Sequence, residues 1–322
     1  MENINLKILQ NFGINGSFAG KRKGGYLIKS GSKFLFLKKT STDSDEIIFQ
    51  NIIKKHLVKN NFKNIDTYYE TTDGRPFFNL NSENYILTDY VEGDEVDFCD
   101  SNMFLKLVEK TALMHTLIRN AEPNCINSGN SLSDYKKALA VFKEHKKLIS
   151  KRSTLSDLDI LFLENYDYYL NLAKDSIKIL EESNYDKLIE SKNETTHNLL
   201  KKENLATINN DIYITNFSKI KRELSVKDLA DLVKRFIKYN EEPDIDINQI
   251  LHTYSKIKPL SDAEIKITYA MLKFPMDFFK ICREYYSKKR SWTPGAIISK
   301  ADEIINRKDR YENYINACIF PK

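Results

Sequence analysis

The chain has 322 residues with 50 Lys+Arg against 45 Asp+Glu, and 41% of its residues are hydrophobic. A net charge of +5 over this length excludes the concentrated basic stripe of a dedicated nucleic-acid binder. Ten glycines and seven prolines exclude a fibrous or low-complexity chain. Apolar runs such as 34–37 and 85–87 fall far short of the roughly 20 residues that span a bilayer, so no membrane insertion is expected. Residues 1–13 lack the basic start and apolar stretch of a secretory signal. Cys99, Cys125, Cys282 and Cys318 are scattered without C-x-x-C or ligand spacing, which predicts reduced thiols in an intracellular protein rather than disulfides or zinc.

In chain order, residues 6–12 predict a short helix stopped near Gly13. Gly24-Gly25 leads into a strand over 26–29, Ser30-Gly31-Ser32 is a turn by composition, and 34–38 is the second strand of a hairpin. Ser44 or Asp43 caps a helix over 46–59, in which Ile47, Ile48, Ile52, Ile53 and Leu57 recur at helical spacing. Residues 67–71 and 77–80 flank Asp73-Gly74, a hairpin signal, and 85–90 is a further strand ended by Glu92-Gly93-Asp94. Beyond this β-rich stretch, helices are predicted over 102–120, 133–150, 156–182, 226–239, 245–256, 261–272, 277–289 and 296–316, with Pro259, Pro275 and Pro294 at their joints. One strand pair, 205–208 and 212–217 about Asn209-Asn210-Asp211, interrupts the helices. The expected division is a β-rich lobe over 1–91 and a helical lobe over 92–322 containing the 205–217 hairpin. No fixed period recurs, which argues against a solenoid.

The hairpin carries the chemical signal. His197 precedes it and Asn204 opens it, while Asn216-Phe217 ends it. In protein kinases and aminoglycoside or choline kinases the same place holds H-x-D-x-x-x-x-N, a hairpin, then a second Asp followed by Phe. There the first Asp positions and deprotonates the attacking hydroxyl, and the Asn and second Asp hold Mg²⁺ against the nucleotide phosphates. Here Leu199 occupies the base position, and an aliphatic group accepts no proton. Asn216 occupies the metal-Asp position; an amide oxygen ligates Mg²⁺ without bringing charge. The alternative is a shifted register with Glu203 or Asp211 as the acid, although Glu203 points elsewhere by its place before Asn204 and Asp211 reads as a turn residue. His197 in this position resembles a loop-holding histidine, and His115 on an apolar helical face reads as a core histidine.

The rest of the chain fits the same template. Lys38 matches the lysine that pairs with the α- and β-phosphates, with Glu46 as the nearest carboxylate partner and Gln50 an uncharged alternative. Residues 86–93 resemble the hinge strand that frames a nucleotide base, Leu113-Met114-His115 a leucine–histidine pair of the superfamily, and Asp228 the early helix Asp that braces the catalytic loop. Gly16, Gly20, Gly24 and Gly25 stand where a phosphate-covering loop would lie. No G-x-G-x-x-G is present and Lys21-Arg22-Lys23 intervenes, so the segment reads as a basic turn. Lys143 to Arg152 reads as a solvated helix face, with an acidic partner's docking patch as the alternative, and Phe278, Phe279, Tyr285, Tyr286 and Trp292 read as core aromatics.

Pro259-Leu260-Ser261 with Glu264, Leu272-Lys273-Phe274-Pro275, Tyr285-Tyr286 and Lys289-Arg290-Ser291-Trp292 resemble the CotS-type spore-coat proteins of endospore-forming bacteria. The resemblance spans residues 5–316. It implies an α+β, bilobal, aminoglycoside-phosphotransferase-like fold in a protein made in the cytoplasm and deposited in the spore coat among other coat proteins. With Leu199 and Asn216 at the acidic positions, no intact catalytic set and no metal site are expected. The expected role is structural or morphogenetic, with no required cofactor. If ATP binds, Lys38, Glu46, Asn204 and Asn216 are its candidate contacts. An active kinase with displaced acids and an ATP-binding scaffold are the alternatives.

Overall fold

The computed structural model describes residues 2–22, 24–119, 121, 127–287 and 294–318. Cys125 and the Lys289 to Trp292 motif lie outside them. Contacts group the chain into two compact units, 1–128 with 193–228 and 129–192 with 229–322. The boundary expected at residue 91 divides the chain by type of secondary structure. Grouped by contact, the hairpin belongs with the first unit.

The first unit opens with helix α1 (Glu2–Asn11), stopped at Gly13, whose φ of 62° suits glycine. Strands β1 (Ser17–Arg22), β2 (Gly25–Ser30) and β3 (Lys33–Thr40) follow, then α2 (Ser44–Lys59), β4 (Phe78–Leu80) and β5 (Glu83–Asp89). They form one antiparallel sheet in the order β1-β2-β3-β5-β4. Side chains alternate across it. Leu35, Leu37 and Leu87 meet Ile8 and Leu9 of α1 and Phe12 just after it in one buried cluster, while Ile86 meets Ile47 of α2 and Phe77 in another. Alternation therefore puts Phe36, Lys38, Thr40, Ile86 and Thr88 on the face opposite α1.

Two local expectations are corrected. The segment expected as a basic turn contains β1, which reaches β2 through a bulge between Phe18 and Gly20. Residues 67–71 form no named strand and make only one isolated bridge, Tyr68 to Thr88, while the tight hairpin lies one step later. There Asn81 and Ser82, at φ 53° and 62°, turn β4 into β5. Positive φ at both central residues matches the right-handed strand twist.

Helix α3 (Ser101–Ile118), capped by Asp100, belongs to the same unit. So do β6 (Thr195–Thr196), β7 (Leu205–Ile208), β8 (Asp211–Ile214) and β9 (Lys221–Arg222). The β7–β8 hairpin turns through Asn209 and Asn210, again both at positive φ. Two backbone hydrogen bonds join Asp94 and Thr207, and Ile214 N–H donates to the Asn64 carbonyl. Gly93 permits the first approach, since a Cβ there would lie 2.6 Å from the Thr207 carbonyl oxygen.

The second unit is helical: α4 (Ser131–Ile149), α5 (Asp157–Glu182), α6 (Tyr185–Lys192), most of α7 (Val226–Tyr239), α8 (Ile247–Ser255), α9 (Asp262–Lys273), α10 (Met276–Tyr286), α11 (Pro294–Asn306) and α12 (Lys308–Asn316). The single helix expected over 296–316 is two, separated at Arg307, and α6 was not anticipated. Motif residues in this unit serve caps and core. Ser261 and Glu264 form a capping box, and Lys192 pairs with Glu264 at 2.7 Å. Phe274 stacks on Tyr135 with centroids 3.8 Å apart, and Phe279 stacks on Phe142 at 4.0 Å. Tyr285 and Tyr286 bond Ser156 and Asp159 at the start of α5. Among the described residues no helix is long and apolar enough to cross a membrane.

Replacing Gly93 with Ala forces the 93–94 backbone off Thr207, a cost of about 2 kcal/mol by analogy with overpacked sites. Urea denaturation should show a lowered midpoint for Gly93→Ala, and an unchanged midpoint would show that this close approach is not needed.

Candidate functional site

The turn before the hairpin is held by one carboxylate. Asp228, at the start of α7, is buried and accepts the His197 N–H at 2.6 Å and the Asn198 N–H at 2.8 Å. His115 Nε2 of α3 lies 3.0 Å from the same carboxylate. Burial pushes the Asp228 carboxyl upward, but the His115 hydrogen bond and the nearby His197 and Lys227 outweigh it and hold the group below the ordinary carboxylate range. Asn198 adopts the left-handed conformation at φ 60°, and its side-chain oxygen accepts from Lys227 Nζ at 2.6 Å.

His197 is completely buried, and its Nε2 lies 3.1 Å from the Thr215 carbonyl. A carbonyl only accepts, so Nε2 carries the proton. Nδ1 has no hydrogen-bond partner, and the ring meets Phe217 edge-on with centroids 4.7 Å apart. Desolvation lowers the imidazole to about 4, against the pull of Asp228. His197 therefore ties the turn to the far end of the hairpin as a neutral ring, as the resemblance implies.

Asn204 and Asn216 are brought together. Asn204 Nδ2 donates to the Leu199 carbonyl at 2.9 Å, and Asn216 Nδ2 donates to Asn204 Oδ1 at 2.9 Å. One hydrogen bond thus joins the two amides, with Asn216 donating and Asn204 accepting. Leu199 is half-buried, contributes its carbonyl to this arrangement and is not among the residues lining the adjacent cavity. The Asn216 N–H donates to Asp66 Oδ1 at 3.2 Å.

That cavity, of about 270 Å³, lies within the first unit. Lys38, Thr40, Gln50, Asp66, Asn204 and Asn216 supply much of its polar wall, with Phe36, Ile47, Ile86, Tyr90 and Val91 apolar. Lys38 points there because strand alternation sends it opposite Leu37, and among the described residues no carboxylate pairs with it. Glu46, its expected partner, instead accepts from Asn127 Nδ2 at 2.6 Å and does not line the cavity. Gln50, one turn on, is buried and accepts from the Tyr68 hydroxyl at 2.6 Å. Burial pushes the Tyr68 phenol well above its ordinary value. Gly24 also lines the cavity, at φ 88°.

The sequence reading missed Lys54 and Asp66. Lys54 lies two turns after Glu46 on α2 and is 1% exposed. Its ammonium sits 2.8 Å from Asp66 Oδ1 and lies 4.2 Å from the Tyr68 ring centroid and 5.2 Å from that of Phe217. Burial lowers the Lys54 ammonium, with Asp66 pulling the other way. No sequence signal marked them. Ile48 and Ile52, expected in the core, are exposed, whereas Gln50, Asn51 and Lys54 are buried, so the inward face of the helix is partly polar.

The other acids do not converge on the amides. Asp211 lies at the hairpin turn, bonded by Lys110 Nζ and Asn64 Nδ2, each at 2.8 Å. Partial burial pushes its carboxyl up, yet Lys110, the Ile212 N–H and Asn64 hold it below the ordinary range. Glu203 lies at the cavity edge with its side chain 65% exposed. Asp89 accepts from the Thr67 N–H and hydroxyl and from the Tyr69 hydroxyl. The donor set therefore fits Mg²⁺ poorly. The Asn204 oxygen is engaged by Asn216 and the Asp66 charge is matched by Lys54, and among the described residues no three His, Cys, Asp or Glu side chains gather as ligands.

The profile described as "Spore coat putative kinase YutH" matches residues 7–318. An aminoglycoside phosphotransferase from Alicyclobacillus acidocaldarius superposes with a TM-score of 0.87 at 12% identity, covering 97% of this chain and 94% of its own. Amicoumacin kinase hAmiN, solved in complex with AMP-PNP, Ca²⁺ and Ami, gives 0.62 at 13%, covering 99% and 95%. A microcompartment-associated aminopropanol kinase gives 0.60 at 12%, covering 99% of each chain. These likenesses establish the kinase-like, aminoglycoside-phosphotransferase fold. No curated protein matches the sequence.

A buried neutral histidine makes stability pH-dependent. Its folded value near 4 lies below the ordinary 6.5, so the unfolded chain binds the extra proton and stability falls as pH drops through that window. The expected loss is about 3 kcal/mol from His197. Denaturation of wild type and His197→Gln between pH 7 and 4 should show a shallower decline for the variant, and parallel curves would refute the assignment.

Proposed function

The chain belongs to the YutH family of spore-coat kinase-like proteins, and from that premise we propose that it is a non-catalytic structural or morphogenetic component of the coat, a pseudokinase. The observation that carries the reading is the hydrogen bond from the Asn216 amide to Asn204, which in turn donates to the Leu199 carbonyl. Phosphoryl transfer needs an acceptor for the hydroxyl proton and anionic oxygens for the metal that neutralises the phosphates. Leu199 offers only a carbonyl, already bonded to Asn204, and the amide pair brings no charge. On this reading the protein is made in the cytoplasm, joins the coat and docks other coat proteins, with no cofactor required for the role.

An active kinase using displaced acids finds little support. Asp211 is tied at the hairpin turn, and Glu203 extends toward solvent at the cavity edge. A nucleotide-binding scaffold without transfer is the second reading, favoured by one observation: Lys38 faces a cavity with no carboxylate partner among the described residues. Glu46 drops out of that contact set, leaving Lys38, Asn204 and Asn216.

Incubation of the purified chain with ATP, Mg²⁺ and hydroxyl or amine acceptors should yield no phosphorylated product. Mg²⁺-dependent product that disappears in Lys38→Met or Asn204→Ala would overturn the pseudokinase reading. A positioned base contributes about 10²–10⁴ in rate, so restoring carboxylates in Leu199→Asp/Asn216→Asp should raise any residual transfer by a comparable factor. The scaffold reading has its own measurement in thermal melting. ATP at about 100 times its dissociation constant should add about 2.7 kcal/mol, and Lys38→Met should abolish the gain. A flat response of wild type to both ATP and ADP removes that reading.

A further inference from the structure

We propose that ligand binding in this cavity is independent of divalent cations, because the Lys54–Asp66 ion pair already occupies the place where such an ion would find its carboxylate. The helix face that bears Glu46 and Gln50 continues one turn later in Lys54, since residues four apart on a helix share a face. Lys54 Nζ contacts Asp66 Oδ1 at 2.8 Å, and the same oxygen accepts the Asn216 N–H at 3.2 Å. The place beside Asn216 where a metal would seek a carboxylate thus already holds a cation. Tyr68 and Phe217 turn their rings toward it, which favours a fixed positive charge there.

The pair also withdraws Asp66 from metal chemistry. Whether the shared proton rests on nitrogen or oxygen, lysine and carboxyl together are neutral, so Asp66 offers no surplus anion. A divalent ion entering the site must displace Lys54 and open the Asn204–Asn216 hydrogen bond. It would leave the Lys54 ammonium buried without its counter-charge, an arrangement that costs more than it returns.

The ligand's chemistry follows from the wall. Among the described residues that line it, Lys38 is the one cation, while Asp66 (paired with Lys54), Asp89 and Glu203 are the acids. With no metal to spread charge, a triphosphate meets one ammonium among carboxylates, whereas a nucleoside mono- or diphosphate carries less charge to repel. That ligand class rests on the nucleotide-scaffold reading above, whereas the claim about Lys54 does not.

The two are separated by one set of measurements on the full chain. Mn²⁺ titration followed by electron paramagnetic resonance should show no site in wild type, a new site in Lys54→Met, and its loss in Lys54→Met/Asp66→Asn. Calorimetric titration with ADP should give affinities within about twofold in Mg²⁺ and in EDTA, since no metal-mediated contact is lost. A wild-type Mn²⁺ site that Asp66→Asn removes would overturn the proposal, as would ADP binding at least about tenfold tighter with Mg²⁺. A folded Lys54→Met that gains no site would also refute the role of Lys54. If that variant fails to fold, the comparison of wild type with Asp66→Asn still decides. Failure of ADP to bind in either buffer would overturn the nucleotide assignment alone, with the Mn²⁺ titration judging Lys54.

Discussion

The arrangement around the candidate site depends on one buried carboxylate. Asp228 receives two consecutive backbone N–H groups and the His115 ring, so the 197–198 turn is fixed from the side away from the cavity. A buried charge with this many donors is costly to disturb, because removing any donor leaves the carboxylate under-solvated. From that anchor the geometry propagates. His197 spans to Thr215, the Leu199 carbonyl positions Asn204, and Asn204 receives Asn216. The turn keeps its shape without any contribution from residue 199's side chain, which is why an aliphatic group is accommodated there.

A second polar set runs from the cavity wall to the buried Lys54. Gln50, Tyr68, Lys54 and Asp66 form a buried set in which each polar head faces another or an aromatic ring. Such sets are stable only when their members are matched. Their charges cancel, and Lys38 is left as the cation at the wall. The segment 64–66 reaches the hairpin through the bridge of Ile65 to Ile214, so α2, this segment and β8 hold the layer in register.

Much of this was legible in the sequence because it rests on local rules. Asn209-Asn210 specified a hairpin turn, and Asp43, one of two caps expected for α2, is the one that serves. The helix at 226–239 was read with the bounds it has. The roles of His197 and Asp228 were read through family resemblance, and their geometry agrees with it. Interactions whose partners lie far apart, or that run against residue type, were not legible. Lysine within a helix reads as solvent-facing, so Lys54 gave no sign of burial, and nothing near Asp66 marked its partner 12 positions upstream. Glu46 was assigned by proximity in sequence to Lys38, but Asn127 receives it instead. Strand β1 escaped because most of its side chains are exposed and give no alternation.

The backbone at Asn216 has a consequence of its own. At φ 61° it occupies a region that most side chains avoid but that glycine, asparagine and aspartate tolerate. Asparagine and aspartate are nearly the same size and differ there chiefly in electrical character. The path of the chain through this corner is therefore indifferent to whether the residue is ionised, so contour and reactivity can vary separately. A superposition of Cα traces, however close, reports the first and is blind to the second.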